Sequence, residues 1–183
     1  SGSGTYYCGI ISITNNMMIK QEENLLPKIF LDKLVNILES NNFQWYFQKS
    51  TLGEIKESSN NFMFTHNLFN NHGQLSEWFT TFEPVVYYIS EKYEVNKLLR
   101  MKLNLYTNQH KNIKHTPHTD FKEKENIKVG LLNFTTCDGG TNIGKKVYRS
   151  KRNELIVFDN SEKHYGITQT DTQTRITLNI GWK

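Results

Sequence analysis

Cysteine is scarce in this chain. Cys8 and Cys137 are the only two in 183 residues. Two are too few for a disulfide framework, and no Cys-x-x-Cys pair is spaced for zinc. A reducing compartment, the cytoplasm, is the expectation. Long apolar runs are missing as well. No stretch is long enough to span a bilayer, and no secretory signal pattern opens the chain, so no membrane partner is expected. Internal repeats are absent. A strong excess of one charge is absent too: the net charge is +4 and the pI about 8.9, which permits a nucleic-acid or acidic partner without arguing for one.

What is present favours a folded chain. Hydrophobic residues make up 37% and aromatics 13%, against a mean hydropathy of -0.61. The length suits one domain with a sizeable core. Ser1-Gly2-Ser3-Gly4 reads as a cloning scar and Met17 or Met18 as a natural start. Residues 1–16 are therefore set apart as a foreign or disordered leader. Residues 17–183 read as one domain, with 17–96 as helical and aromatic support and 97–183 as its core.

In chain order, Tyr6–Ile13 is a short strand or part of the leader. Phe30, Leu31, Leu34, Ile37 and Leu38 recur at helical spacing after Pro27, predicting a helix to about Ser40. Phe43–Phe47 reads as a strand, 48–61 as a polar loop, and Phe62–Phe64 as another short strand. Trp78, Phe79 and Phe82 predict a helical piece, and Pro84 starts a helix carrying Val85, Val86, Ile89 and Tyr93. After Asn96 the period changes from helical to two. Met101, Leu103 and Leu105 alternate with Lys102, Asn104 and Tyr106. Strands are expected at 99–107, 117–121, 127–134, 146–148, 154–159, 163–168 and 174–181. Turns are read at Asp138-Gly139-Gly140 and Asp159-Asn160-Ser161. Helices followed by a run of strands predict a mainly β fold, an antiparallel sandwich or jelly roll buttressed by N-terminal helices.

The chemistry centres on His115-Thr116-Pro117-His118-Thr119-Asp120-Phe121. His118 and Asp120 share one face if this stretch is a strand, so both can reach one metal ion. A third ligand would complete a two-His-one-carboxylate triad, a non-haem Fe(II) arrangement with open positions. His164 is available 44 residues after Asp120, beyond the apolar strand Glu154–Asp159. His115 competes with His118 as first ligand, but its spacing to Asp120 puts the two on opposite faces of an extended strand. On the last strand Arg175, Thr177 and Asn179 share a face, and Ile176, Leu178 and Ile180 share the other. An arginine pointing into a barrel requires an anion, and its fork suits a carboxylate. The Thr177 hydroxyl can donate to the same group. Asn179 reads as a strand polar residue satisfied by backbone, and His66, His72 and His110 as surface or loop histidines. Lys145, Lys146, Arg149, Lys151 and Arg152 read as a solvated hairpin face, with a nucleic-acid footprint as the alternative.

Over roughly residues 97–182 the sequence resembles the Fe(II)/2-oxoglutarate-dependent dioxygenases, especially the prolyl-4-hydroxylase-like branch. Their pattern of His-x-Asp, a distal His and a basic residue one strand later falls on His118, Asp120, His164 and Arg175, and an Arg-x-Thr form of the anchor on Arg175 and Thr177. Leu131-Leu132-Asn133, Gly139-Gly140-Thr141, Leu155–Asp159 and Trp182 are further family-like pieces. The resemblance implies a double-stranded β-helix of the cupin-like jelly-roll type. It implies Fe(II) on His118, Asp120 and His164, with 2-oxoglutarate against Arg175, Thr177, Tyr106 and Asn104. It also implies O2 as oxidant, ascorbate as an accessory reductant, and hydroxylation of a C–H bond with release of succinate and CO2. A protein or peptide residue such as proline is the leading substrate class and nucleic acid the second. The compact look is similar to that of bacteriophage dioxygenases, which implies work in a host cytoplasm. Two departures weaken the prolyl assignment: no tyrosine stands on Val129–Asn133, and the loop after Asp120 is short. A noncatalytic jelly-roll binding or structural module is the alternative from another class.

Overall fold

The structure is a computed structural model that describes residues 19–51, 61–123 and 126–183. The expected leader, the reading of 6–13 and the middle of the expected 48–61 loop lie outside these residues. Among the described residues the elements run β1 (Lys20–Glu23), α1 (Lys28–Leu38), β2 (Tyr46–Gln48), β3 (Met63–Asn70), β4 (Gly73–Gln74), α2 (Phe79–Phe82), α3 (Pro84–Ser90), β5 (Leu98–Thr107), β6 (Lys128–Asn133), β7 (Cys137–Ile143), β8 (Lys146–Ser150), β9 (Glu154–Asp159), β10 (His164–Ile167) and β11 (Thr174–Trp182).

The strands form a jelly roll of two antiparallel sheets. The larger runs β1-β9-β6-β11-β5-β3-β2, with β4 beside β3, and the smaller runs β10-β7-β8. The segment before β6 adds to the smaller sheet through bridges at Lys114–Ile167 and His118–His164. Strand β11 lies between β5 and β6, and its alternation divides the molecule. Ile176, Leu178 and Ile180 join the main apolar core, where they meet Leu31, Leu34 and Leu38 of α1 and Phe82 and Val85 of the short helices. Every one of these is at least nine-tenths buried, and burial of this kind is what holds a helix with few capping bonds onto a sheet. Arg175, Thr177 and Asn179 face the other way, into the jelly roll. A smaller apolar cluster of Val129, Leu131, Ile143, Tyr148, Ile156 and Phe158 fills the space between the sheets beyond them.

Four local expectations need correction. Asp138-Gly139-Gly140 is not a turn but part of strand β7. Its glycines allow close approach of backbone: a Cβ at Gly140 would lie 2.2 Å from the Tyr148 carbonyl oxygen, and one at Gly139 2.8 Å from that of Ile167. The turn comes later, at Gly144, whose φ of +58° suits glycine. Residues 117–121 are not a regular strand, since pairing is confined to the single bridge at His118. Phe43–Phe47 yields only the short strand at its end, with Phe43 buried in the core and Trp45 packed against it. His66 is buried on β3 rather than on the surface, its ring nitrogens 2.6 Å from the Gln44 carbonyl and 2.6 Å from the Ser76 hydroxyl. His72 and His110 are exposed as expected.

Candidate metal and anion site

Three neighbouring strands set the floor of a cavity of about 240 Å³ inside the jelly roll. From β5 come Arg100, Lys102, Asn104 and Tyr106, from β11 Arg175, Thr177 and Asn179, and from β6 Leu131. The register places Tyr106 opposite Arg175, Asn104 opposite Thr177 and Lys102 opposite Asn179. Period-two alternation thus gives one sheet face a polar row where the opposite face is apolar.

His118 and His164 are directly opposed. Each backbone N–H donates to the other's carbonyl, at 3.0 and 2.9 Å, so both side chains leave the ladder on the same side. Nδ1 of His118 lies 3.1 Å from the Thr116 carbonyl, and Nδ1 of His164 3.4 Å from that of Glu162. A carbonyl only accepts, so each Nδ1 carries the proton and each Nε2 offers a lone pair. Asp120 completes the cluster, its carboxylate 3.4 Å from His164 Nε2 and 3.9 Å from His118 Nε2. One ligating atom from each of the three lies within 4.8 Å of the others, a spacing one metal ion can bridge.

Asp120 is held by Arg100, which the sequence did not single out, and by Asn179, which it read only as a strand polar residue. Arg100 Nη2 lies 2.7 Å from Asp120 Oδ1 and donates to Asn179 Oδ1 at 2.7 Å, while Asn179 Nδ2 donates to Asp120 Oδ2 at 2.9 Å. Burial acts to raise the carboxyl's pKa. The Arg100 guanidinium, His164 and the Asn179 hydrogen bond overcome it and hold the group well below the usual carboxylate range. Burial pushes His164 down and keeps it neutral, as a ligand must be. The backbone around Asp120 is fixed by fully buried Asn160. Its Oδ1 accepts from the N–H groups of Asp120 and Phe121, and its Nδ2 donates to the carbonyls of Phe121 and Glu123. Asn179 is therefore not merely satisfied by backbone. Its shared face with Arg175 and Thr177 was the signal. Asn160 carries no signal beyond its turn.

His115 also lines the cavity, contrary to the parity argument. Four residues lead from Lys114 to His118, but three lead from Ile167 to His164. His115 N–H donates to the Gly166 carbonyl, so Thr116 and Pro117 together face Tyr165. This bulge reverses the alternation and brings His115 and His118 to the same side. His115 sits against Tyr106, with ring centroids 5.3 Å apart, and is not among the clustered ligands.

At the far end of the cavity lies Arg175, 1% exposed. Nη2 donates to Thr141 Oγ1 at 2.9 Å, Nη1 is 3.4 Å from the Ile167 carbonyl, and the guanidinium lies 4.8 Å from the Tyr106 ring centroid. No carboxylate pairs with it among the described residues, and Nε has no hydrogen-bond partner. Burial depresses its pKa, which marks the cost of the uncompensated charge. Asn104 Oδ1 is likewise buried without a partner. Buried guanidinium N–H groups left without an acceptor, on Arg175 and on Arg100, beside a three-ligand cluster suit a small anion reaching from Arg175 to a metal. The residues present thus fit both Fe(II) and a dicarboxylate.

No family model matches the sequence, and no curated protein matches it. Solved structures match over nearly the whole chain. An oxidoreductase of the 2OG-Fe(II) oxygenase family from Burkholderia pseudomallei is similar with a TM-score of 0.67 at 10% identity, covering 90% of this chain and 84% of that one. A Pseudomonas putida prolyl-4-hydroxylase gives 0.59 at 11%, covering 91% and 92%. A Trichoplax adhaerens prolyl hydroxylase, in complex with a peptide fragment of the hypoxia inducible factor oxygen degradation domain, gives 0.63 at 13%, covering 92% and 84%. The chain has the jelly-roll fold of the 2OG-Fe(II) oxygenases.

Proposed function

We propose that the protein is an Fe(II)- and 2-oxoglutarate-dependent dioxygenase that hydroxylates a C–H bond of a protein or peptide residue such as proline. One observation carries this reading. A metal-spaced His-Asp-His cluster shares a cavity with a buried arginine that has no acidic partner among the described residues.

His118, Asp120 and His164 would hold the metal. The two histidines, each with Nδ1 turned to a backbone carbonyl, present Nε2 to the metal position, and Asp120 contributes a negative charge kept ionised by Arg100 and Asn179. Arg175 would bind the distal carboxylate of 2-oxoglutarate, with Thr177 and Tyr106 beside it and Asn104 supplying a polar contact along the way. When bound, Fe(II) with 2-oxoglutarate and O2 supplies the oxidation of C–H to alcohol, with succinate and CO2 as coproducts. The polypeptide orients these groups and shields them within the sheets. Ascorbate would serve as an accessory reductant, and a phage source with work in the host cytoplasm belongs to the same reading.

The peptide-bound Trichoplax neighbour supports a peptide substrate over nucleic acid. So does the basic hairpin: Lys151 pairs with Glu23 at 2.6 Å and Arg152 with Asp32 at 2.8 Å, which reduces its free positive charge. Succinate formation by iron-loaded protein, assayed against peptide, oligonucleotide and metabolite pools, tests the reading. Stimulation by peptides supports it, stimulation by oligonucleotides moves the substrate class, and iron binding without 2-oxoglutarate turnover under any pool favours a noncatalytic module.

A further inference from the structure

We propose that Lys102 is the cation that recognises the primary substrate, and that it receives a carboxylate on the molecule to be oxidised. The proposal rests on the dioxygenase reading and deepens it. Among the described residues three basic side chains line the cavity, Arg100, Lys102 and Arg175, against a single carboxylate, Asp120. Arg100 is neutralised by Asp120 at 2.7 Å. Arg175 stands at the far end, opposite Tyr106, where the distal carboxylate of 2-oxoglutarate would lie. Lys102 is left over. Its ammonium has neither an ion pair nor a hydrogen bond among the described residues, and a divalent metal on the cluster would add positive charge nearby.

Position separates Lys102 from the cosubstrate anchor. It lies across from Asn179, the residue that grips Asp120, and therefore at the level of the metal ligands. Arg175 is four residues away along β11, roughly 13 Å of strand rise. A dicarboxylate held between the metal ligands and Arg175 would extend away from Lys102. That would leave the Lys102 ammonium free to receive a second anion beside the metal ligands. Burial and the Arg100 charge push the lysine's pKa down to about 8, so its charge is borne at a cost that a carboxylate would relieve. Two sources offer that group: the α-carboxylate of a free or C-terminal residue, and the acidic side chain of an internal peptide residue. Either would leave the adjoining carbon near the metal.

Calorimetry on anaerobic protein loaded with Fe(II) and 2-oxoglutarate tests this with two matched pairs. N-acetylproline against its amide probes the α-carboxylate. Acetyl-Ala-Pro-Glu-amide against acetyl-Ala-Pro-Gln-amide probes the side chain. For at least one pair the acid should bind wild type about tenfold more tightly than its amide, the scale of a charge-assisted hydrogen bond. Lys102→Met should remove that preference and Lys102→Glu reverse it, while 2-oxoglutarate affinity in Lys102→Met stays within about twofold. If neither acid outbinds its amide, or if Lys102→Met keeps the preference, the proposal is overturned. A collapse of 2-oxoglutarate affinity in Lys102→Met would instead assign Lys102 to the cosubstrate and overturn it too. Wild type that binds no 2-oxoglutarate at all would fail the underlying dioxygenase reading, which is a separate result.

Discussion

Arg175 and Asp120 are two buried charges with opposite fortunes in the free protein. Asp120 is fully partnered, and Arg175 has only a hydroxyl, a distant carbonyl and an aromatic face. Replacing Arg175 by Met should therefore leave the free protein as stable as before or more stable, by about 1 kcal/mol, because a buried uncompensated charge is removed. The same change should weaken 2-oxoglutarate binding by at least about tenfold. Thermal unfolding with and without 2-oxoglutarate reads both effects. Loss of either partner of Asp120 acts on the metal instead. Asn179→Ala should lower Fe(II) affinity by about 10–100-fold in a chelator competition, whereas His164→Ala should abolish specific binding. The pH dependence follows from the same groups. Asp120 and His164 both sit below their ordinary values of 3.8 and 6.5, so folding favours the carboxylate and the neutral imidazole. Their stabilising contribution is complete above those values and is lost as pH falls through the lower folded-state values. Metal retention should accordingly decline on the acid side of pH 6.5 and stay flat just above it, as measured by metal content after equilibrium dialysis across pH.

Among the elements, β11 was the most legible from sequence because its two faces differ so sharply. Arg175-Thr177-Asn179 and Ile176-Leu178-Ile180 need only period two to be sorted into cavity and core. The same parity on β5 carries Asn104 and Tyr106 into the cavity, and it also carries Lys102 and Arg100, whose significance appears only when their neighbours on other strands are known. The segment around His118 resisted the same reasoning. A bulge shifts parity without a residue type that marks it, so His115 arrives where an extended strand would not put it. Gly139 and Gly140 misled for a related reason. Glycine permits a turn, but it equally permits two backbones to touch, and only the fold decides between them. Gly140→Ala should therefore destabilise the β7–β8 pair by about 2–3 kcal/mol, since its Cβ would meet the Tyr148 carbonyl at 2.2 Å and backbone cannot easily give way. Denaturant unfolding measures it; a change below about 0.5 kcal/mol would show that the strand relaxes. Asn160 is fully buried and bonded to three backbone residues around Asp120, yet its side chain could not be singled out within an ordinary polar turn.

For the whole molecule, the jelly roll separates duties between its layers. Helices and the outer face of the larger sheet supply the apolar core, which leaves the inner face free to carry polar and charged groups at one end. The strand run after Asn96 was enough to read this architecture, but the N-terminal half is not purely helical, since its β1, β2 and β3 extend both ends of the larger sheet. Among the described residues no helix is long and apolar enough to cross a membrane. In the proposed function the metal cluster and Arg175 act together on one dicarboxylate. Anaerobic calorimetry of 2-oxoglutarate into Fe(II)-loaded protein tests it most directly. The account predicts one molecule bound per chain, binding that depends on the metal, is lost in His164→Ala and is at least about tenfold weaker in Arg175→Met. Verified iron-loaded wild type that binds no 2-oxoglutarate, or binds it equally well without Arg175, would contradict it.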